Sequence, residues 1–167
     1  MTIQIGDTLP AGTLMEYKEV EGEGCSIGPN SFKVEEMTKG KKIVIFGLPG
    51  AYTPTCSAKH LPGYIEHFDQ LKAKGVDEVW CLSVNDAFVM HAWGKEQHAD
   101  GKVRMMADGS AAYSAKLGLT LDLTHAGMGI RSDRYAMIVE NGVVKWLGRE
   151  APGKFSASSV ESVLANL

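Results

Sequence analysis

A single α/β domain built on one mixed sheet is the architecture this sequence predicts, and three observations predict it. The 167 residues hold no repeat, low-complexity tract or linker, so 1–167 reads as one domain. That length buries about 70% of the unfolded surface without a disulfide or metal staple. Compact apolar runs alternate with segments of helical periodicity, the pattern of strands joined by helices. Near the C-terminal end, Asn141-Gly142 separates two further apolar runs, which adds a β-hairpin to the sheet.

The elements follow in order. Residues 2–20 alternate weakly around Pro10 and Gly12, which suggests a short hairpin, and residues 21–31 are rich in turn formers. Lys42–Gly47 is apolar and β-branched, as in a strand covered on both faces. Residues 55–73 carry Leu61, Ile65, Phe68 and Leu71 along one helical face; Pro62 and Gly63 should bend this helix early, and Gly75 should end it. Glu78–Val84 is a second strand, and Asp86 caps a helix reaching about Ala99. Val103–Ala107 is a third strand, and Ser110–Leu117 a short helix closed by Gly118. Thr120–Ser132 reads as a polar, glycine-containing loop, within which Thr120–Gly129 shapes either a site mouth or a dimer contact. Tyr135–Val139 and Val143–Leu147 form the hairpin, and Ser158–Leu167 a closing helix.

Composition excludes several classes. The formal net charge is −3, and the one basic cluster, Lys39, Lys41 and Lys42, suits a solvated strand edge, so no nucleic-acid partner is expected. No stretch approaches the roughly 20 apolar residues that span a bilayer, and the first residues lack the basic and apolar regions of a secretion signal. Three cysteines, at 25, 56 and 81, are an odd number at irregular spacing. A reducing, cytoplasmic setting is the expectation.

The chemistry concentrates at Cys56. The Lys42–Gly47 strand empties into Pro49-Gly-Ala-Tyr-Thr53-Pro-Thr-Cys56, and Ser57, Ala58, Lys59, His60 and Leu61 suit the opening of a helix. A thiol on a first helical turn meets unpaired N–H groups and the positive end of the helix dipole, both of which favour the reactive thiolate. Displacement at a peroxide oxygen needs such a thiolate, donors for the leaving oxygen and shelter from water. Thr53 can turn its hydroxyl back toward the sulfur, and Pro49 can cover the thiolate without adding a competing donor. Arg134, at the mouth of the Tyr135–Val139 strand, is the best candidate for a cation.

These residues resemble a known family. Pro49-x-x-x-Thr53-x-x-Cys56 is the signature of peroxiredoxins. The run Gly47–Ser57 followed by His60-Leu-Pro-Gly63, together with Cys81–Val89 and Ser132-Asp-Arg134-Tyr-Ala-Met137, resembles the type II, peroxiredoxin-5-like branch. The likeness spans nearly the whole chain. It implies a thioredoxin-like fold, a homodimer and a sulfenic acid formed on Cys56. It assigns Thr53 and Arg134 to peroxide and thiolate positioning and Pro49 to shielding. The substrates implied are hydrogen peroxide and small organic hydroperoxides, with no metal or flavin cofactor.

The pattern departs at the resolving cysteine. Where some relatives carry a C-terminal one, Gly153–Ser159 here has none. Cys81 stands 25 residues after Cys56, a spacing found in plant-type members, yet it lies mid-strand, where packing competes with a resolving role. Cys25 reads as an ordinary loop thiol. The preferred cycle therefore uses one cysteine, cleared by glutathione with glutaredoxin or, second, by thioredoxin. A Cys-x-x-Cys dithiol enzyme is excluded because Ser57, Ala58 and Lys59 follow Cys56. Cys56, His60 and His67 share a helical face but lack the further close pair that zinc would want. His91, His98 and His125 read as surface or helix-face histidines, Trp80, Trp93 and Trp146 as core or interface, and Met105-Met106 as a strand edge or filler. The alternative function is a redox-sensing interaction protein in which Cys56 is oxidised once as a signal.

Overall fold

A computed structural model describes residues 1–22 and 24–167; Glu23, in the turn-rich 21–31 segment, lies outside the described residues. The strands and helices in chain order are β1 (Thr13–Lys18), β2 (Gly28–Lys33), α1 (Val34–Met37), β3 (Lys42–Leu48), α2 (Leu61–Glu66), α3 (Phe68–Ala73), β4 (Glu78–Ser83), α4 (Ala87–Glu96), β5 (Val103–Ala107), α5 (Ala112–Leu117), β6 (Thr120–Leu123), β7 (Gly129–Ser132), β8 (Tyr135–Glu140), β9 (Val143–Arg149) and α6 (Val160–Ala165). One seven-stranded sheet runs β2-β1-β5-β4-β3-β8-β9. β3 pairs in parallel with β4, and β4 with β5; β8, β9, β1 and β2 join antiparallel. The mixed sheet expected from the sequence is present.

β3 is central because both its faces are apolar. Val44, Phe46 and Leu48 point into one buried cluster with residues of α2, α3, α4 and α6. Ile43 and Ile45 point into a second, with Trp80, Met106, Tyr113, Tyr135 and Met137. The strand's period of two thus divides the core into two layers on either side of the sheet. Trp80 and Trp93 are fully buried, one in each layer, while Trp146 is partly covered. The hairpin turn at Asn141 (φ 49°) and Gly142 (φ 80°) has both residues in the left-handed region, as a type I′ turn demands.

Three elements differ from the sequence reading. The N-terminal hairpin is not contained in residues 2–20: β1 pairs with β2, so Gly28-Pro29-Asn30, read as turn formers, are strand. β2 is an edge strand, where proline's missing N–H costs no ladder bond. Thr120–Ser132 is not a plain loop. β6 and β7 pair antiparallel across it in a separate two-stranded sheet, closed by a 3-10 turn at Thr124–Ala126. The 55–73 helix is interrupted twice, by a π-helical turn over Cys56–His60 and by a break at His67 (φ −101°, ψ 15°). Asp86 caps α4 as expected, accepting from the Val89 N–H at 2.8 Å.

Gly47 marks where the sheet meets the loop that follows. A Cβ there would run into the Tyr135 ring and the Ser132 hydroxyl, and Tyr135 is fully buried on the paired strand β8. Gly47→Ala should therefore destabilise the domain by about 1–3 kcal/mol through overpacking, read as a lowered urea midpoint at unchanged slope.

Candidate active site

The C-terminal end of β3 delivers Pro49 and Gly50 into a turn. The Gly50 carbonyl accepts the Thr53 hydroxyl at 2.8 Å, so Thr53 Oγ1 spends its proton locally and keeps its lone pairs. The Ala51 N–H donates to Asn85 Oδ1 (3.0 Å), and the Ser83 hydroxyl donates to the same oxygen (2.6 Å). This ties the loop after β3 to the loop after β4. The helix then starts at Pro54, a position where a missing N–H is harmless. Cys56 lies in its first turn, fully buried. The Trp93 indole of α4 donates to Ser57 Oγ at 3.0 Å and pins this turn from below.

Arg134 stands just before β8, and its guanidinium divides between two partners. Nη2 donates to Cys56 Sγ at 3.1 Å, and Nη1 to His60 Nδ1 at 2.8 Å. A guanidinium at this distance gives a sulfur anion a charge-assisted partner. The π turn matters here because it spans Cys56 to His60, so the widened turn presents both side chains to Arg134.

His60 is fully buried, and its partners dictate its protonation. Arg134 can only donate, so Nδ1 must be the acceptor; Nε2 carries the proton and donates to the Ser158 carbonyl at 3.0 Å. Burial, and then the Arg134 charge, push its pKa down to about 3. The Phe46, Tyr64 and Phe155 rings surround it.

Of the sequence-predicted residues, the structure brings Cys56 and Arg134 into direct contact. Thr53 lies one turn before Cys56 and bonds Gly50, not the sulfur. Pro49 helps line a hollow of about 350 Å³ beside Arg134, with Leu121, Leu123, Pro152 and Phe155 on its walls. Cys81 is fully buried in β4, opposite Phe46, and burial, then the proximity of Cys56, push its thiol pKa well up, with Arg134 offsetting part. Cys25 is half-buried in the turn between β1 and β2, where its backbone pairs with Gly22.

Several site residues were not singled out from sequence. Arg131 Nη1 reaches the Pro49 and Val84 carbonyls at 3.4 Å each. Asp133 accepts from Arg149 Nε at 2.6 Å and from the Arg134 N–H at 3.0 Å. His60 does carry a sequence signal, its spacing of four from Cys56 on one helical face. Among the described residues there is no group of three or more His, Cys, Asp or Glu placed to hold a metal ion.

A family model described as Redoxin matches residues 4–164. Peroxiredoxin-2B of Arabidopsis thaliana is 44% identical over 165 residues, covering 99% of this chain and 98% of the relative. The chain belongs to the peroxiredoxin family, in its type II branch. Reduced Prx3 of Vibrio vulnificus in complex with H2O2 superposes on this peroxiredoxin with a TM-score of 0.91 at 50% identity, over 98% of each chain. A Burkholderia cenocepacia structure bearing the name thioredoxin reductase shares the same fold, with 61% identity and a TM-score of 0.98 over 100% of this chain and 99% of that one. The thioredoxin-like fold expected from the motifs stands, and the enzyme is a thiol-dependent peroxidase.

The His60 geometry has a consequence for acid stability. The folded peroxiredoxin keeps this imidazole neutral down to about pH 3, whereas an unfolded chain protonates it near 6.5. The unfolded state therefore binds the extra proton between those values, and stability falls as pH drops through that window. Urea unfolding from pH 7 to 4 should show this loss, and His60→Gln should show a shallower acid limb than the native protein.

Proposed function

We propose that Cys56 is the peroxide-reducing thiolate and that Arg134, Thr53 and Pro49 complete its site. The observation that carries this reading is the 3.1 Å contact from Arg134 Nη2 to Cys56 Sγ, with Nη1 already committed to His60. The sulfur attacks one oxygen of the O–O bond and becomes the sulfenic acid; the other oxygen leaves with the bonding pair and is protonated to water or an alcohol. Arg134 stabilises the charge that moves from sulfur to the leaving oxygen. Thr53 Oγ1 accepts the peroxide hydroxyl, for which its free lone pairs are suited. Pro49 keeps water from the sulfur without offering a donor. Leu121, Leu123 and Phe155 beside the site favour small organic hydroperoxides as well as hydrogen peroxide.

The cycle we favour uses one cysteine. A buried Cys81 whose thiol is held protonated is a poor attacking group. An external thiol, glutathione with glutaredoxin ahead of thioredoxin, would then attack the sulfenic acid, releasing water, and a second thiol would free Cys56 from the mixed disulfide. A homodimer is supported by the exposed Tyr52, in the loop after β3, and the exposed Phe88, in the first turn of α4 after β4. A reducing, cytoplasmic setting is supported by three free cysteines.

Turnover with hydrogen peroxide and a glutathione-based donor tests the assignment. Cys56→Ser should abolish it, while Cys81→Ser should retain most of it; a folded but inactive Cys81→Ser would overturn the one-cysteine cycle. Intact mass after one equivalent of peroxide should show an oxygen added at Cys56, not a Cys56–Cys81 bridge. Consumption that stops at one equivalent with excess donor would instead support the redox-sensing reading.

A further inference from the structure

Glu150 is a buried carboxylate that the reaction does not use, placed directly after β9 and 8% exposed. One of its oxygens, Oε2, accepts three hydrogen bonds: from the Ser156 N–H at 2.8 Å, and from the Ser158 N–H and hydroxyl at 2.6 Å each. Its own N–H donates to the Arg134 carbonyl at 3.0 Å. Glu150 is thus tied to Arg134 through the backbone and to the Ser156–Ser158 turn through the side chain.

That turn ends at the atom on which His60 depends. The Ser158 carbonyl accepts from the Tyr64 hydroxyl at 2.7 Å and from His60 Nε2 at 3.0 Å. Tyr64 is in turn stacked on Phe46 of β3 at 4.0 Å, so the carbonyl is gripped from a rigid side and a loop side. If the carbonyl moved away, the buried Nε2–H would lose its acceptor, and the contact with Arg134 alone would be left to favour this tautomer. An imidazole protonated on Nδ1 would oppose a donor to the Arg134 Nη1 donor, and the guanidinium would swing from the sulfur. Four residues between Glu150 and the turn, Ala151–Lys154, lie outside any helix or strand, and Phe155 beyond them packs its ring 5.1 Å from His60.

We propose that Glu150 is a positioning residue for peroxide reduction: it clasps the Ser156–Ser158 turn, the Ser158 carbonyl sets the His60 tautomer, and that tautomer aims Arg134 at Cys56. The inference rests on the catalytic role proposed for Arg134. It does not require the negative charge, because a single oxygen accepts all three bonds, so a glutamine carbonyl can replace it.

The test is the second-order rate of Cys56 oxidation by hydrogen peroxide, followed by stopped-flow tryptophan fluorescence on the full chain. Glu150→Ala should slow it about tenfold or more, as misplacement of a catalytic group does, and Glu150→Gln should recover most of the loss. Because both act through one guanidinium, Glu150→Ala combined with His60→Phe should be no slower than His60→Phe alone. A rate for Glu150→Ala within about twofold of native, a failed glutamine rescue or additive losses would overturn the clasp, since independent sites add. Arg134→Gln, measured in parallel, separates the two ideas: if it too reacts at the native rate, the role of Arg134 falls and the clasp with it, whereas silence of the Glu150 variants alone removes only the clasp. Nitrogen-15 spectra of the native protein give a reading that needs no variant. They should show His60 protonated on Nε2 and bare at Nδ1 at neutral pH, and an Nδ1–H form or an imidazolium would refute the chain of contacts.

Discussion

Everything at this site depends on a guanidinium shared between a sulfur and a neutral imidazole. Arg134 could satisfy its donors with water or a carboxylate, as most arginines do. Here Nη1 is taken by His60 and Nη2 meets Cys56. The imidazole is fully buried beside a permanent cation, and that combination keeps it uncharged. A charged partner in its place would either repel the guanidinium or compete with the sulfur for it. A neutral acceptor holds the arginine without neutralising it.

The sheet supplies the rigidity that this sharing needs. β3 is buried on both faces and carries the loop that ends on Cys56, and β8, its antiparallel neighbour, begins one residue after Arg134. Cys56 and Arg134 therefore leave adjacent strands at the same end of the sheet. The loops after β3 and β4 are joined through Asn85, and Trp93 holds the first helical turn through Ser57. Cys56 and Arg134 are thus held on short tethers to a packed core, which limits how far their relative geometry can drift.

The least regular segment of the site, residues 151–159, also takes part in it. It contributes Phe155 to the hollow beside Arg134 and the Ser158 carbonyl to His60. Loops without internal ladders are usually the least stable parts of a domain. This one is compensated by a buried carboxylate at one end and by Tyr64 on the helix opposite.

Periodicity and turn chemistry made most of the fold legible: the three apolar strands, the Asp86 cap, the Asn141-Gly142 hairpin and the order of elements are local properties. The thiol on a first helical turn was legible for the same reason, and the Pro49/Thr53/Cys56 motif carried the family. The pairings of β1 with β2 and of β6 with β7 were not legible, although each joins neighbouring strands, because weakly alternating or glycine-containing strands carry little local signal. The sequence by itself determined which sulfur sits on a first helical turn and which fold surrounds it, because backbone geometry and apolar patterning act over a few residues. Only the tertiary structure decided what faces that sulfur: the contact from Arg134 spans 78 residues and that from Ser158 to His60 spans 98, and the protonation of a buried group is set by neighbours that the chain brings together only on folding.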